Sequence, residues 1–362
     1  MPSSREPLFT SSFALVTAAS LAYFISLGTL LPIIPRFIEG PLHGNSASVG
    51  FGVGSFGLFA FLIRPMAGRL ADTRGRKLMM VGGSAMVAVA TLGYLAVGHL
   101  VALIPLRLLA GTGEAMFFTG AASAVNDLAP EGRRGEALSL FSLSLYLGLA
   151  VGPLIGEGAL GTARFDRVWL VAAIAAIAAS LLSLLFADQH STVNVIKTRL
   201  IQTAAIGPGI VVAASVLGFA AMGAFLPLLA LDLGLEGSRF LFLIYSAVVI
   251  VIRSAGARIP DAFGTRRTVI VSLAISALGL AVLSGARSST WLFAGVPLFA
   301  AGQALAFPAL MSMAVQRAPS TQRGAVIGTF TAFVDLAFGV GPILLGLVAS
   351  AAGHGTGGYR AT

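Results

Sequence analysis

Apolar stretches of about 20 residues recur along the whole chain, each long enough to cross roughly 30 Å of hydrocarbon. They are separated by short polar turns. The pattern predicts helices near 11–35, 47–68, 78–97, 100–126, 136–158 and 167–187 in the first part of the chain. In the second part it predicts 205–230, 237–257, 268–286, 290–315 and 325–350. Backbone groups find no water inside a bilayer, so spanning segments of this kind must bond internally as helices. The first stretch carries Pro32 and Pro35 without a small-residue cleavage site, which reads as a retained helix and not a signal peptide. The expected organisation is an all-α membrane protein with about 11 transmembrane helices. Residues 1–187 form a first half, 188–204 a linker expected in the cytoplasm, and 205–362 a second half.

The two halves repeat. A shift of 189 residues lays Arg64, Arg69, Asp72 and Gly75 on Arg253, Arg258, Asp261 and Gly264, and lays Lys77 on Arg266. The same shift lays Ala129-Pro130 on Ala318-Pro319, Arg134-Gly135 on Arg323-Gly324, and Gly152-Pro153 on Gly341-Pro342. A register held constant over about 90 residues marks a duplicated membrane unit, the construction many transporters use for two rocking halves.

Composition adds to this picture. Hydrophobic residues make up 57% of the chain and charged ones 10%, against roughly 25% charged in soluble domains. The net charge of +9 is topological. With the N-terminus inside, fourteen of the 23 Lys and Arg fall on cytoplasmic loops and six on outer ones. That is the positive-inside bias, and it leaves no case for a nucleic-acid partner. There is no cysteine, so thiol catalysis and disulfides are excluded. His43, His99, His190 and His354 are scattered without metal-ligand spacing, and no Walker-type loop supports ATP coupling. No nucleophile–base set or cofactor motif appears, so the chain does not read as an enzyme and no cofactor is expected.

Gly68-Arg69-Leu70-Ala71-Asp72-Thr73-Arg74-Gly75-Arg76-Lys77 resembles the loop 2–3 signature of the major facilitator superfamily. Arg107-Leu108-Leu109-Ala110-Gly111-Thr112-Gly113-Glu114-Ala115 resembles that family's helix 4 motif. The run from Gly148 to Gly156 resembles the helix 5 motif of its drug/proton antiporter-type exporters. The resemblance implies a cytoplasmic latch in which Arg76 pairs with an acid at the foot of helix 4, here Asp127, followed by Arg133 and Arg134. Gly68 and Gly75 would allow close backbone approach. Asp261 and Arg266 would form a weaker copy, because Gln316 stands where Asp127 does. The alternative is a plain topogenic charge cluster.

Ionisable groups at membrane depth are functional candidates. Glu114 stands two turns from Arg107, and the repeat places Gln303 opposite Glu114 and Asp335 opposite Tyr146. These five are the candidates for proton coupling or substrate binding, with Arg107 anchoring an anion or tuning Glu114. The alternative is that each acid is a fixed structural partner. Glu157 reads as an exposed helix end, and Arg64 and Arg253 as anchors snorkelling to the cytoplasmic face. Gly148, Gly152 and Gly156 share one helix face, with Pro153 permitting a bend and Gly341-Pro342 repeating part of the motif. Tyr23, Phe117, Phe118 and Phe307 read as helix packing ahead of a binding chamber.

The mate of helix 6 should begin near residue 357, so a twelfth helix is expected to be missing and the C-terminus to lie outside. A partner or lipid could cover that position on an otherwise monomeric protein. The sequence thus points to a multi-pass protein of the plasma (inner) membrane. Its expected activity is proton-coupled efflux of small amphipathic molecules. A sugar or metabolite permease (uniport or symport) is the alternative within transporters, and a non-transporting sensor the alternative outside them.

Overall fold

The computed structural model describes residues 8–130, 133–187, 202–256, 263–316, 323–353 and 355–362; the side chains of Asp72, Arg134 and Arg323 lie outside the description. The described residues form helices and turns, with no strand among them. The first group comprises α1 (Ser11–Leu30), α2 (Ile33–Glu39), α3 (Ser46–Arg74), α4 (Arg76–Gly93), α5 (Leu100–Leu128), α6 (Arg134–Leu160) and α7 (Phe165–Leu185). The second comprises α8 (Thr203–Asp232), α9 (Arg239–Ala255), α10 (Thr265–Ser284), α11 (Ser289–Gln316), α12 (Arg323–Ala351) and a short α13 (Thr356–Ala361). Ten helical segments among the described residues are long and apolar enough to cross a membrane, α1 and α2 counting as one. The 17-residue α9 fills the remaining position that the sequence predicts.

Local chemistry sets the ends and satisfies the few polar side chains. Thr10, Asn45 and His99 cap α1, α3 and α5 by accepting from the backbone amides of Phe13, Ser48 and Ala102. Buried hydroxyls of Ser20, Ser84, Thr91 and Ser183 donate to carbonyls one turn back, at 2.6 to 2.7 Å, and so need no water. Gly75 and Gly264, equivalent in the repeat, both turn the chain with positive φ, at 97° and 84°.

Within the first group α1 packs against α6 and α7, α5 against α3 and α4, and α4 against α7. In the second, α8 packs against α11 and α12, while α11 also holds α9 and α10. The groups meet where α3 lies on α12 and α6 lies on α9. The repeat carries α3 onto α9 and α6 onto α12, so each of these contacts is the image of the other. The α3–α12 contact runs on small residues. Gly50, Gly54 and Gly57 face Pro342, Gly339 and Phe338, and a Cβ added at Gly57 would lie 2.6 Å from the Phe338 carbonyl carbon.

One end of the bundle carries Arg74, Arg76, Asp127 and Arg133 and is called here the basic end. At the opposite end a single core draws on both groups, with Phe37 and Trp169 packed among Phe225, Phe242 and Leu292. Toward the basic end the cores separate. Tyr23, Phe117 and Phe141 belong to one, and Val212, Leu310 and Phe330 to the other. The groups are therefore tied by packing at the opposite end.

Near the position where the sequence places the mate of helix 6, α13 sets the Tyr359 ring 6.1 Å from Phe225 and bonds its hydroxyl to Glu39. Burial, with the Glu39 carboxylate beside it, raises the Tyr359 phenol above its ordinary range, so it stays a donor.

Candidate functional site

Four helices bring one polar group each to mid-height. Glu114, Tyr146, Ala304 and Asp335 lie within two residues of the midpoints of α5, α6, α11 and α12. Two arginines, from α3 and α9, connect them. Arg64 donates to Glu114 Oε2 at 3.0 Å and to Asp335 Oδ1 at 2.8 Å, and its Nε pairs with Asp335 Oδ2. All three side chains are largely enclosed, at 12 to 14% exposure, and the guanidinium also stands 5.1 Å from the Phe118 ring centroid. Arg64 therefore joins an acid of its own group to an acid of the other.

Arg253 repeats the gesture with neutral partners. Its Nε donates to the Ala304 carbonyl at 3.0 Å, and its guanidinium lies 4.7 Å from the centroid of the Tyr146 ring on the opposite group. The expectation that Arg64 and Arg253 snorkel to the membrane surface is thus corrected. The local repeat placed them correctly, but their long side chains run inward, where acids, a carbonyl and an aromatic face await them.

The other candidates take varied places. Arg107 does not meet Glu114. Its Nε donates to Gly52 O at 2.8 Å, its Nη2 to Val53 O at 3.3 Å, and its guanidinium covers Phe56 at 4.8 Å. It is buried, and its partners come from α3. Gln303 bonds Ser215 and lies at the limit of bonding to Ser276, within the second group. Tyr23 stacks on Phe117 at 3.9 Å, Phe118 packs edge-on with Phe141, and Phe307 with Phe330, all as side-chain packing.

At the basic end Arg76 Nε meets Asp127 Oδ2 at 2.9 Å and Nη1 meets the Ala71 carbonyl at 2.7 Å. The structure thus brings together the pair that the resemblance named. Arg133 instead forms a two-point pair with Glu136, both bonds 2.9 Å. Arg266 is exposed, and Lys77 sits in the first turn of α4. Asp261 lies outside the described residues, as do the side chains of Asp72 and Arg134. Gly68 departs from expectation: nothing stands within 4 Å of where its Cβ would be, so no close approach occurs there. Gly75 turns the chain with a positive φ.

Glu157 overturns its reading as an exposed end. It is 8% exposed, and it accepts from Ser238 N at 2.7 Å, Ser238 Oγ at 2.9 Å and Arg239 N at 3.0 Å. A carboxylate of α6 thereby caps the start of α9 across the two groups, where the helix dipole favours negative charge. Arg36 stands 3.9 Å away. Sequence alone hides this, because the cap comes from 81 residues earlier.

On α6, Gly148, Gly152 and Gly156 all face α1 at Phe24, Gly28 and Thr29, and Pro153 lies inside the same helix. A Cβ at Gly152 would stand 2.5 Å from the Gly28 carbonyl carbon. Gly341 faces Leu217 of α8, and the Pro342 carbonyl backs onto Gly50.

Two helix groups related by a repeat, with ten described segments long and apolar enough to cross a membrane and polar side chains joined at mid-height, define a multi-pass membrane protein of the kind that transporters build. The chain belongs to the Major Facilitator Superfamily, whose sequence model matches residues 16–261 and 209–362. It is 27% identical over 356 residues to the uncharacterized MFS-type transporter STM4428 of Salmonella typhimurium, covering 95% of this chain and 91% of the relative. To the uncharacterized MFS-type transporter YhhS of Escherichia coli it is 28% identical over 350 residues, covering 92% and 85%. Among solved structures, the nucleoside transporter NupG aligns with a TM-score of 0.80 at 12% identity, covering 96% of this chain and 94% of that one. A bacterial homolog of the human lysosomal transporter Spinster, inward-facing and unoccupied, gives 0.78 at 16% identity, covering 96% and 84%. At such identities these structures bear on the fold alone.

Proposed function

We propose that the protein exports small amphipathic molecules across the inner membrane in exchange for protons, by alternating access of residues 1–187 and 205–362 about their shared contacts. In this reading the basic end and the N-terminus are cytoplasmic, as the positive-inside bias expects. The present arrangement, joined at the opposite end, is then the inward-open state. The protein works as a monomer, and the Arg76–Asp127 pair, which lies within the first half and is formed in this arrangement, braces the cytoplasmic turn that closes that side together with Asp72 and the Asp261–Arg266 copy in the alternate state. Close packing of the α6 glycines on α1 keeps the first half rigid as it rocks.

The observation that carries the reading is Arg64 held by Glu114 and Asp335 together. Two ionised carboxylates on one guanidinium leave a single negative charge in excess. A proton arriving on Asp335 cancels that excess and weakens the only charged tie between halves at this level among the described residues. Glu114 still neutralises Arg64, so no buried cation is left unpaired, which would be costly. Proton occupancy and the joining of the halves are in this way one event.

The test is proton movement in everted membrane vesicles, followed with a pH-gradient dye while lipophilic cations, organic anions and sugars are added in turn. The expected result is a dye response to one class, lost in Asp335→Asn. Substrate uptake that proceeds unchanged in Asp335→Asn and dissipates no proton gradient would overturn the coupling.

A further inference from the structure

We propose that Arg253 is the binding site for an anionic head group, and that the transported molecule is an amphipathic monoanion. The inference rests on the transport reading above and names its substrate class.

Arg253 is the image of Arg64, Gln303 the image of Glu114, and Tyr146 the image of Asp335. The repeated cluster kept its cation, but Gln303 of the second half and Tyr146 of the first stand where its two carboxylates would be. Arg253 is left with one carbonyl acceptor at Nε and an aromatic face, and neither carries a negative charge. Its two terminal nitrogens have no protein acceptor among the described residues. A guanidinium inside a membrane protein without a counter-charge is expensive, so positions of this kind mark ligand sites. The paired nitrogens of Arg suit a carboxylate, sulfonate or phosphate diester held by two parallel bonds.

The surroundings supply the apolar part. Tyr146, Phe219 and Phe338 are half-buried, and Tyr245 lies on α9 two turns from Arg253. Phe219 stands 5.0 Å from Tyr245 and 5.8 Å from Phe338, ring centre to ring centre. Charge at one point and aromatic rings beside it match a molecule with an anionic head and an apolar body. Because Tyr146 belongs to the other half, an anion that takes the guanidinium from the Tyr146 ring acts directly on the contact between halves.

The test uses three probes of one shape: 1-naphthylacetate, 1-naphthylmethylammonium and 1-naphthylmethanol. Equilibrium binding to the full chain in lipid nanodiscs is measured against empty discs. The anion should bind about tenfold or more tighter than the cation or the alcohol, as a charge-assisted bidentate contact allows. Arg253→Gln should abolish that preference, and Arg253→Lys should keep part of it, which excludes a folding defect as the cause. Tighter binding of the cation or alcohol, no binding of any probe, or an anion preference intact in Arg253→Gln would each overturn the proposal. Equilibrium binding needs no proton movement. Retained anion binding with no proton release in vesicles would therefore fail the coupling reading and leave this one standing.

Discussion

Arg64 and Arg253 occupy equivalent positions 189 residues apart, and each lays its guanidinium on a residue of the other helix group, Asp335 in one case and Tyr146 in the other. Asp335 and Tyr146 are themselves 189 residues apart. Duplication explains why two long cations reach inward at the same height. Divergence explains why one holds acids and the other does not.

The Arg64 cluster should be non-additive. Glu114→Gln alone leaves Asp335 to neutralise the cation, and Asp335→Asn alone leaves Glu114, so each should cost about 1–3 kcal/mol. The double variant strands an enclosed guanidinium and should cost more than the sum, with about 3–5 kcal/mol added by the unpaired charge. Thermal unfolding of the three variants in one detergent checks this as a double-mutant cycle. Simple additivity would mean that the two acids do not share Arg64.

At the basic end the pair is asymmetric: the Arg76 side chain is 10% exposed and that of Asp127 45%. Arg76 also serves the Ala71 carbonyl next to the turn at Gly75. Arg76→Ala should therefore destabilise more than Asp127→Asn, by about 1–3 kcal/mol against at most about 1. Arg76→Lys should rescue poorly, since a point charge cannot reach both the acid and the carbonyl. Equal effects of Arg76→Ala and Asp127→Asn would reduce the site to a surface ion pair.

Much of this was legible in the sequence because membrane proteins write their architecture in long apolar runs and duplications leave a fixed offset. Helix positions, the repeat and the mid-height acids follow from spacing along one helix or between copies, whereas the Arg76–Asp127 pair was implied by the family resemblance. Arg64 was misread because the reach of a long side chain across a helix pair leaves no trace in spacing. The partners of Arg107 were missed for a related reason. It shares a helix face with Glu114, yet its nearest acceptors are carbonyls of α3, which every sequence contains and none displays. Glu157 looked like a loop-proximal acid because its partners are backbone amides of a helix 81 residues on.

The α6–α1 contact has no room for a side chain at Gly152, where a Cβ would press on the Gly28 backbone. Gly152→Leu should part the two helices and cost about 1–3 kcal/mol or more. Gly158→Leu, on the same helix with nothing within 4 Å of its Cβ position, should be near neutral. Unfolding temperatures of the two variants decide it, and similar losses in both would mean that α6 tolerates no bulk anywhere.

Glu157 and Ser350 close the same end of the bundle from opposite groups. Glu157 caps α9, and the Ser350 hydroxyl accepts from the Ala47 backbone amide of α3 at 3.2 Å. If both belong to one closure, weakening the first should loosen the second. The absence of native cysteine makes this measurable, because Ala47→Cys with Ser350→Cys introduces the only two thiols. Oxidation should close a disulfide readily in that background and arrest transport, and reduction should restore it. Adding Glu157→Gln removes the charge from the cap, worth about 1–2 kcal/mol. The population with this end apart should then rise about five- to thirtyfold, and disulfide formation should slow wherever closure limits it. An unchanged cross-linking rate in Glu157→Gln would show that the α6–α9 and α3–α12 contacts open independently, and that the bundle does not move as two rigid groups.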